Sequence, residues 1–219
     1  MASIKEVPVE ARFEKEARYF ASSRDDVLAL LPAGTKKILD VGCGSAQTWA
    51  GKSNFEVWGV ERNESAAAIA RKHLKKVFSS DLESALPDLQ NETFDIIFLA
   101  DVIEHLYDPW GMLMQLNSLL GRNGRVLISV PNFGNYRVLK RIIFRKEFRY
   151  SQEGILDVDH IRFFCRRDVE WMLKVSGYKI EKFTRKYSGS KILRALNVLL
   201  FGALNDLLAE QFIILARKA

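Results

Sequence analysis

The chain has 219 residues, 48% of them hydrophobic and 27% charged, enough for one α/β domain with a full core and too apolar for a largely disordered chain. Its formal net charge is +6, an excess that favours anionic partners. Two cysteines, Cys43 and Cys165, have neither the number nor the spacing of a disulfide framework or a zinc site, and the charged N-terminal stretch lacks the apolar run of a signal peptide, so a cytoplasmic protein without a metal is expected.

Residues 9–31 place Phe13, Ala17, Phe20, Val27, Leu28 and Leu31 at helical spacing, which predicts an N-terminal helical cap within 1–35, ended by Pro32 and Gly34. A short β-type run at 36–41 then enters Gly42 and Gly44, and a weakly apolar helix is expected over 46–52. A strand follows at 55–61 and a helix at 63–73 with Asn63 as its N-cap. Strands at 77–81 and 94–100 come next, the second wholly apolar, as expected where helices cover both sheet faces. Leu113, Leu116, Leu119 and Leu120 mark a helix at 110–120 ended by Gly121 and Gly124, before a strand at 125–130 that Pro131 stops.

Regular alternation pauses over 132–165, where Arg137, Lys140, Arg141, Arg145, Lys146 and Arg149 face only Glu147. An insert this long inside one domain usually serves function; a solvated helix face is the plainer reading of its charge. A helix at 167–176, a strand at 178–186, a second insert at 188–208 with an apolar helix over 191–208, and a last strand at 211–217 complete the chain. Polar residues such as Arg194, Asn197 and Asp206 interrupt that apolar helix, so no transmembrane span is expected; it reads as a core or dimer helix, with interfacial membrane contact as the lesser alternative. The order predicts one α/β domain over 1–219: a doubly wound, Rossmann-like, seven-stranded, mostly parallel sheet with helices on both faces and a lid inserted after strand five.

Ligands of such sheets bind at the carboxyl ends of the strands, where the strand order reverses. There Gly42 and Gly44 let the backbone turn tightly and approach a ligand, although an ordinary βα turn has the same look. Glu61, at the end of the second strand, is placed to accept from ribose hydroxyls. Asp81, after the third, is placed to accept from an adenine amino group or to cap a helix. Gln47 stands where a dinucleotide enzyme needs a third glycine, and no P-loop motif occurs.

These residues resemble a known family. Ile38-Leu39-Asp40-Val41-Gly42-Cys43-Gly44 looks like the first motif of class I S-adenosylmethionine-dependent methyltransferases, and Val60-Glu61, Ser80-Asp81-Leu82 and Phe94-Asp95-Ile96-Ile97 resemble its next three. Ala46 departs from the pattern, since many relatives have glycine there. Asp101-Val102-Ile103-Glu104-His105-Leu106 is similar to a segment of the subgroup that methylates small molecules. Asp157-Val158-Asp159-His160-Ile161-Arg162-Phe163-Phe164 looks like a stretch of bacterial enzymes linked to glycan and O-antigen biosynthesis. The resemblance implies S-adenosylmethionine as cofactor and S-adenosylhomocysteine as product, with contacts expected at Tyr19, Asp40, Gly42, Gly44, Glu61, Arg62, Asp81, Leu82, Ala100, Asp101 and His105.

Methyl transfer to a hydroxyl requires alignment, exclusion of water and removal of a proton. Of three histidines, His73 lies in a helix remote from the strand ends, whereas His105 and His160 fall on the acceptor side. His160, beside Asp157 and Asp159, is the preferred base, with His105 and Glu104 as alternatives and structural roles open for each. Acceptor contacts are expected from Asn132, Asn135, Tyr136, Arg149, Tyr150, Asp159, His160 and Arg162. A [DN]-P-P-[YFW] motif is lacking after strand four, which disfavours DNA-base methylation. The expectation is methyl transfer to an oxygen, less readily a nitrogen, of a small, sugar-like or nucleotide-linked, anionic acceptor, with a homodimer as one oligomeric state open to the chain. The alternatives are RNA or protein methylation, with nucleic acid not favoured as a partner, and a non-catalytic methyltransferase-like binding subunit.

Overall fold

The computed structural model describes residues 22–187, 195 and 197–219. Seven strands form one sheet: β1 (Lys37–Val41), β2 (Glu56–Val60), β3 (Lys76–Phe78), β4 (Phe94–Ala100), β5 (Leu120–Pro131), β6 (Tyr178–Tyr187) and β7 (Ala209–Lys218). Their spatial order is β3-β2-β1-β4-β5-β7-β6, parallel through β5, with β7 antiparallel to both of its neighbours. The order reverses between β1 and β4, so a crevice opens at their carboxyl ends.

Period-two alternation sends each strand's side chains to both faces. Leu39, Val41, Ile97 and Leu99 belong to one core with α3 (Leu82–Leu89), α4 (Pro109–Ser118) and α6 (Arg166–Val175). Ile38, Ile96 and Phe98 belong to the other, under Val27 of α1 (Asp25–Leu28), Trp49 and Ala70 of α2 (Glu64–Ala70). Helices on both faces explain why β4 is apolar almost throughout.

Several boundaries differ from the sequence reading. Of the expected N-terminal helix, α1 covers only Asp25–Leu28, and positions 1–21 lie outside the described residues. The helix expected over 46–52 is a single 3-10 turn, Gln47–Trp49, because Ala46 takes a left-handed backbone just before it. Strand β3 stops at Phe78. Asp81 then caps α3, a helix that periodicity did not announce because Pro87 sits inside it; Leu82, Ala85 and Leu89 nonetheless bury one face. Gly121 and Gly124 do not end α4. They lie in the irregular start of β5, where pairing with β4 slips between Phe94 and Ile96. The first insert is not wholly irregular: α5 (Tyr136–Arg145) is capped by Asn135, whose side chain accepts from the Arg137 N–H. Of the helix expected over 191–208, positions 195 and 197–199 are helical, a turn occupies 200–204, and a short α7 (Asn205–Leu208) follows; positions 188–194 and 196 lie outside the described residues.

Candidate active site

The backbone turns straight out of β1 into the crevice. Gly42 and Gly44 have φ of +69° and +55°, a region costly for residues with a Cβ. A Cβ on Gly42 would stand 3.0 Å from Val102 Cγ2, so the loop also lies against the segment that leaves β4. Ala46, where relatives of the resembled family have glycine, still adopts φ +58°; the glycine conformation persists at a cost of ~1 kcal/mol.

Glu61 braces this loop. Buried to 7% exposure, its Oε2 accepts from the Gly44 N–H at 2.9 Å and its Oε1 from the Asn63 N–H at 2.7 Å. Each oxygen keeps lone-pair capacity for a ligand hydroxyl. Asp40 lies behind the loop, fully inside the protein. Burial pushes its carboxyl up to about 7 and the Glu61 charge adds to the shift, while the indole N–H of Trp49, 2.6 Å from Oδ2, opposes it. Trp49 in turn packs edge-on against Phe55 and Phe98, which ties the loop to the core.

At the end of β3, Asp81 is exposed and accepts from the Ser84 N–H at 2.8 Å. That bond, with Arg62 nearby, holds its carboxyl below the usual range, so it presents a negative charge beside Leu82 at the crevice edge. Ala100 ends β4, and Asp101 follows at φ +59°. The Asp101 carboxylate takes Ser129 Oγ–H at 2.9 Å, the Gln211 amide and the Arg24 guanidinium. Arg24 also reaches Asp26 and Gln211 Oε1, while its N–H donates to Thr48 Oγ1. Sequence reading did not single out Arg24: an arginine before a short helix carries no motif, and its partners lie up to 187 positions away. Tyr19 lies outside the described residues.

Glu104 and His105 lie on a 3-10 turn, Ile103–His105, just after β4. The Glu104 carbonyl accepts from the N–H groups of Ile161 and Arg162, and this clasp brings His160 over the turn. His160 Nε2 comes to 3.9 Å from Glu104 Oε1, and the two imidazoles meet edge-to-face with centroids 4.9 Å apart. His105 Nδ1 lies 3.0 Å from the Asp159 carbonyl and His160 Nδ1 lies 3.1 Å from the Ile155 carbonyl. A carbonyl only accepts, so both Nδ1 atoms carry hydrogen, and in the neutral imidazole each Nε2 then presents a lone pair. Glu104 is 1% exposed, and neither of its carboxylate oxygens has a hydrogen-bond partner among the described residues. Burial, with Asp101 and Asp157 adding repulsion, raises its carboxyl well above the ordinary range; burial and the neighbouring His160 lower His105.

The remaining expected acceptor residues divide by burial. Asn132 and Asn135 face inward: Asn132 Nδ2 donates to the Asp206 and Ala209 carbonyls at 2.6 and 2.8 Å, and Asn135 Nδ2 to the same Ala209 carbonyl at 2.8 Å. They hold the start of the insert to the start of β7. Arg162 spans to the Tyr107 carbonyl and lies over Trp110. The Asp159 N–H donates to Asp157 Oδ1, so the two aspartates shape the His160 loop while the imidazole itself is oriented by the Ile155 carbonyl. Tyr136, Arg149 and Tyr150 lie along the insert, with Tyr136 half-buried and the other two exposed; Arg149 pairs with Glu147 at 3.0 Å, and Tyr150 packs on Phe148 and Phe163.

A loop with left-handed backbone at Gly42 and Gly44, a buried carboxylate just after β2 and an exposed one at the cap of α3 form a donor and acceptor set that suits a nucleoside bearing a charged side chain. Residues 13–182 match a family model described as a methyltransferase domain. The chain belongs to the methyltransferase-domain family. This methyltransferase shares its fold with an S-adenosylmethionine-dependent methyltransferase from Archaeoglobus fulgidus at a TM-score of 0.64 and 21% identity, over 92% of this chain and 97% of that one. A magnesium protoporphyrin IX methyltransferase from Synechocystis, crystallised with bound S-adenosylhomocysteine, superposes at 0.56 and 16% identity, over 93% and 83%. A ubiquinone biosynthesis O-methyltransferase from Thiobacillus denitrificans is 26% identical over 70% of this chain and 68% of its own length. One from Coxiella burnetii is 30% identical over 53% of this chain; the chain spans about half the length of that relative, 52%. Family and fold make the protein a class I S-adenosylmethionine-dependent methyltransferase. Among the described residues no helix is long and apolar enough to cross a membrane.

Proposed function

We propose that this methyltransferase methylates an oxygen of a small-molecule acceptor held at the carboxyl ends of β1 and β4. The observation that carries the reading is the convergence of Glu104, His105 and His160 after β4: a buried carboxyl with no hydrogen-bond partner among the described residues beside one half-buried and one buried imidazole, each held by its Nδ1. A cluster of proton acceptors suits a hydroxyl acceptor, which must shed its proton. The ubiquinone-biosynthesis relatives, named as O-methyltransferases, support oxygen over nitrogen.

When bound, S-adenosylmethionine supplies an electrophilic methyl carbon on a sulfonium, whose carbon–sulfur bond breaks as the acceptor oxygen bonds that carbon. Gly42, Gly44 and Glu61 would hold its amino-acid and ribose parts, and Asp81 with Leu82 its base. Asp101, fixed by Arg24, Ser129 and Gln211, fixes the backbone that turns Glu104 and His105 inward. His160 is the group we assign to receive the acceptor proton, with its Nδ1–H bond to Ile155 keeping Nε2 free. Arg162 and the cations of α5 favour an anionic or phosphorylated acceptor, and a sugar or nucleotide-linked glycan fits that chemistry.

Calorimetric titration with S-adenosylhomocysteine tests the cofactor half. Binding by the wild type and at least a hundredfold loss in Glu61→Ala are expected; no binding by the wild type sinks the reading. The acceptor half is tested by following S-adenosylhomocysteine release with a catechol, a nucleotide-linked sugar and a short RNA offered in turn. Turnover on RNA alone would replace the small-molecule acceptor with a nucleic acid.

A further inference from the structure

The Glu104, His105 and His160 cluster has a property that proton transfer alone leaves unexplained. One potential ligand atom from each residue lies within 4.8 Å of those of the other two. Both imidazoles are locked by Nδ1–H bonds to backbone carbonyls, the outer-shell arrangement that aims a histidine Nε2 lone pair at a metal. Between them the Glu104 carboxylate is 1% exposed and unpartnered among the described residues, a costly condition for a buried polar group. Three potential ligand groups therefore gather where a bound cation would replace the proton that burial otherwise favours on Glu104. Arg24, whose charge acts on Glu104, is already shared between Asp101 and Asp26, and Asp157 is a further buried carboxylate in the surroundings.

We propose that Glu104, His105 and His160 form a binding site for one divalent first-row transition-metal ion, which holds the acceptor oxygen. Two imidazoles and one carboxylate are the ligand set of zinc, manganese or iron rather than of magnesium, which prefers oxygen ligands. The 3.9 Å between Glu104 Oε1 and His160 Nε2 needs to close only to about 3.4 Å for two bonds of ~2.1 Å at the tetrahedral angle. Three protein ligands leave positions open for a substrate oxygen. The chain's other histidine, His73, is exposed and takes no part. The metal site stands on geometry; its role in holding the acceptor rests on the methyl-transfer reading above. His160 Nε2 receives the acceptor proton only in the metal-free protein; with the ion bound that nitrogen is a ligand, the ion lowers the pKa of the acceptor hydroxyl held on it, and the proton passes to solvent.

The test uses the full chain stripped with a chelator and titrated with ZnCl2, MnCl2 or MgCl2. Metal content after desalting and calorimetry should show one Zn2+ or Mn2+ per chain and at least tenfold weaker Mg2+ binding. Glu104→Gln and His160→Ala should each weaken uptake a hundredfold while retaining S-adenosylhomocysteine binding, and His73→Ala should leave uptake unchanged. The absence of stoichiometric uptake of either Zn2+ or Mn2+, or uptake indifferent to both cluster substitutions, overturns the site. Loss of S-adenosylhomocysteine binding in the wild type would instead strike the methyltransferase reading. Should the variants not fold, Co2+ added to the wild type keeps the question open to measurement: visible ligand-field bands in excess of those of the free ion support the site, and their absence refutes it.

Discussion

Single residues of the crevice carry more than the role a motif assigns them. Glu61 is a ligand candidate and also the brace of the glycine loop, because each of its oxygens accepts a different backbone N–H. Glu61→Gln therefore should not rescue: one of the two N–H groups would face an amide NH2, at a cost of about 1–3 kcal/mol for a buried unsatisfied donor. Urea unfolding should show Gln and Ala both destabilised by that order, and a Gln variant as stable as the wild type would contradict the bracing role. Asp40 gives a pH signature. Its folded carboxyl titrates at about 7 against an ordinary 3.8, so the protonated form is favoured in the native state; the associated stability is present below the unfolded value and is lost as pH rises through about 7. The variant Asp40→Asn should gain on the wild type by at most ~1.4 kcal/mol per pH unit between about 4 and 7. Parallel denaturation at several pH values checks this, and a stability difference that does not change with pH contradicts it.

At the scale of elements, the sequence announced those whose period is intact. Strands β1, β2 and β4 stand within a residue or two of the expected bounds because uninterrupted apolar runs mark strands covered on both faces. Helix α2 starts at its expected cap, Asn63, which accepts from the Ala66 N–H at 3.0 Å. Helix α3 escaped because Pro87 disrupts the helical signature, and α5 was foreseen only as a solvated helix face: its cations drew the reading, although Val138, Leu139, Ile142 and Ile143 stand at helical spacing. The joint between β5 and β7 was invisible too, since Asn132 reads as a polar loop residue but bonds carbonyls 74 and 77 positions away. Asn132→Ala removes both of these bonds and the acceptor for the Gly134 N–H, and should cost about 2–4 kcal/mol. A change below 0.5 kcal/mol in chemical denaturation would show that the joint is held by other contacts.

For the whole molecule, ligand binding and stability are linked. A methyltransferase of this family holding S-adenosylhomocysteine at 100 times its Kd gains ~2.7 kcal/mol, which for a domain of this size raises Tm by about 5–10 °C. Thermal unfolding with and without the ligand measures it, and Glu61→Ala should abolish the shift. The fold class, the glycine turn after β1 and the carboxylates that follow the next two strands could be read from the chain alone, because each is written locally in strand periodicity, two glycines and their spacing. The gathering of Glu104, His105 and His160 was decided only in three dimensions. The clasp of the Glu104 carbonyl by the N–H groups of Ile161 and Arg162 joins segments over fifty residues apart, and neither the hydrogen bonds that aim the two imidazoles nor the lack of a donor for the Glu104 carboxyl among the described residues leaves a trace in residue order. Local backbone preference shows itself in sequence; the meeting of distant polar groups follows from sheet order and burial, which depend on the whole chain at once.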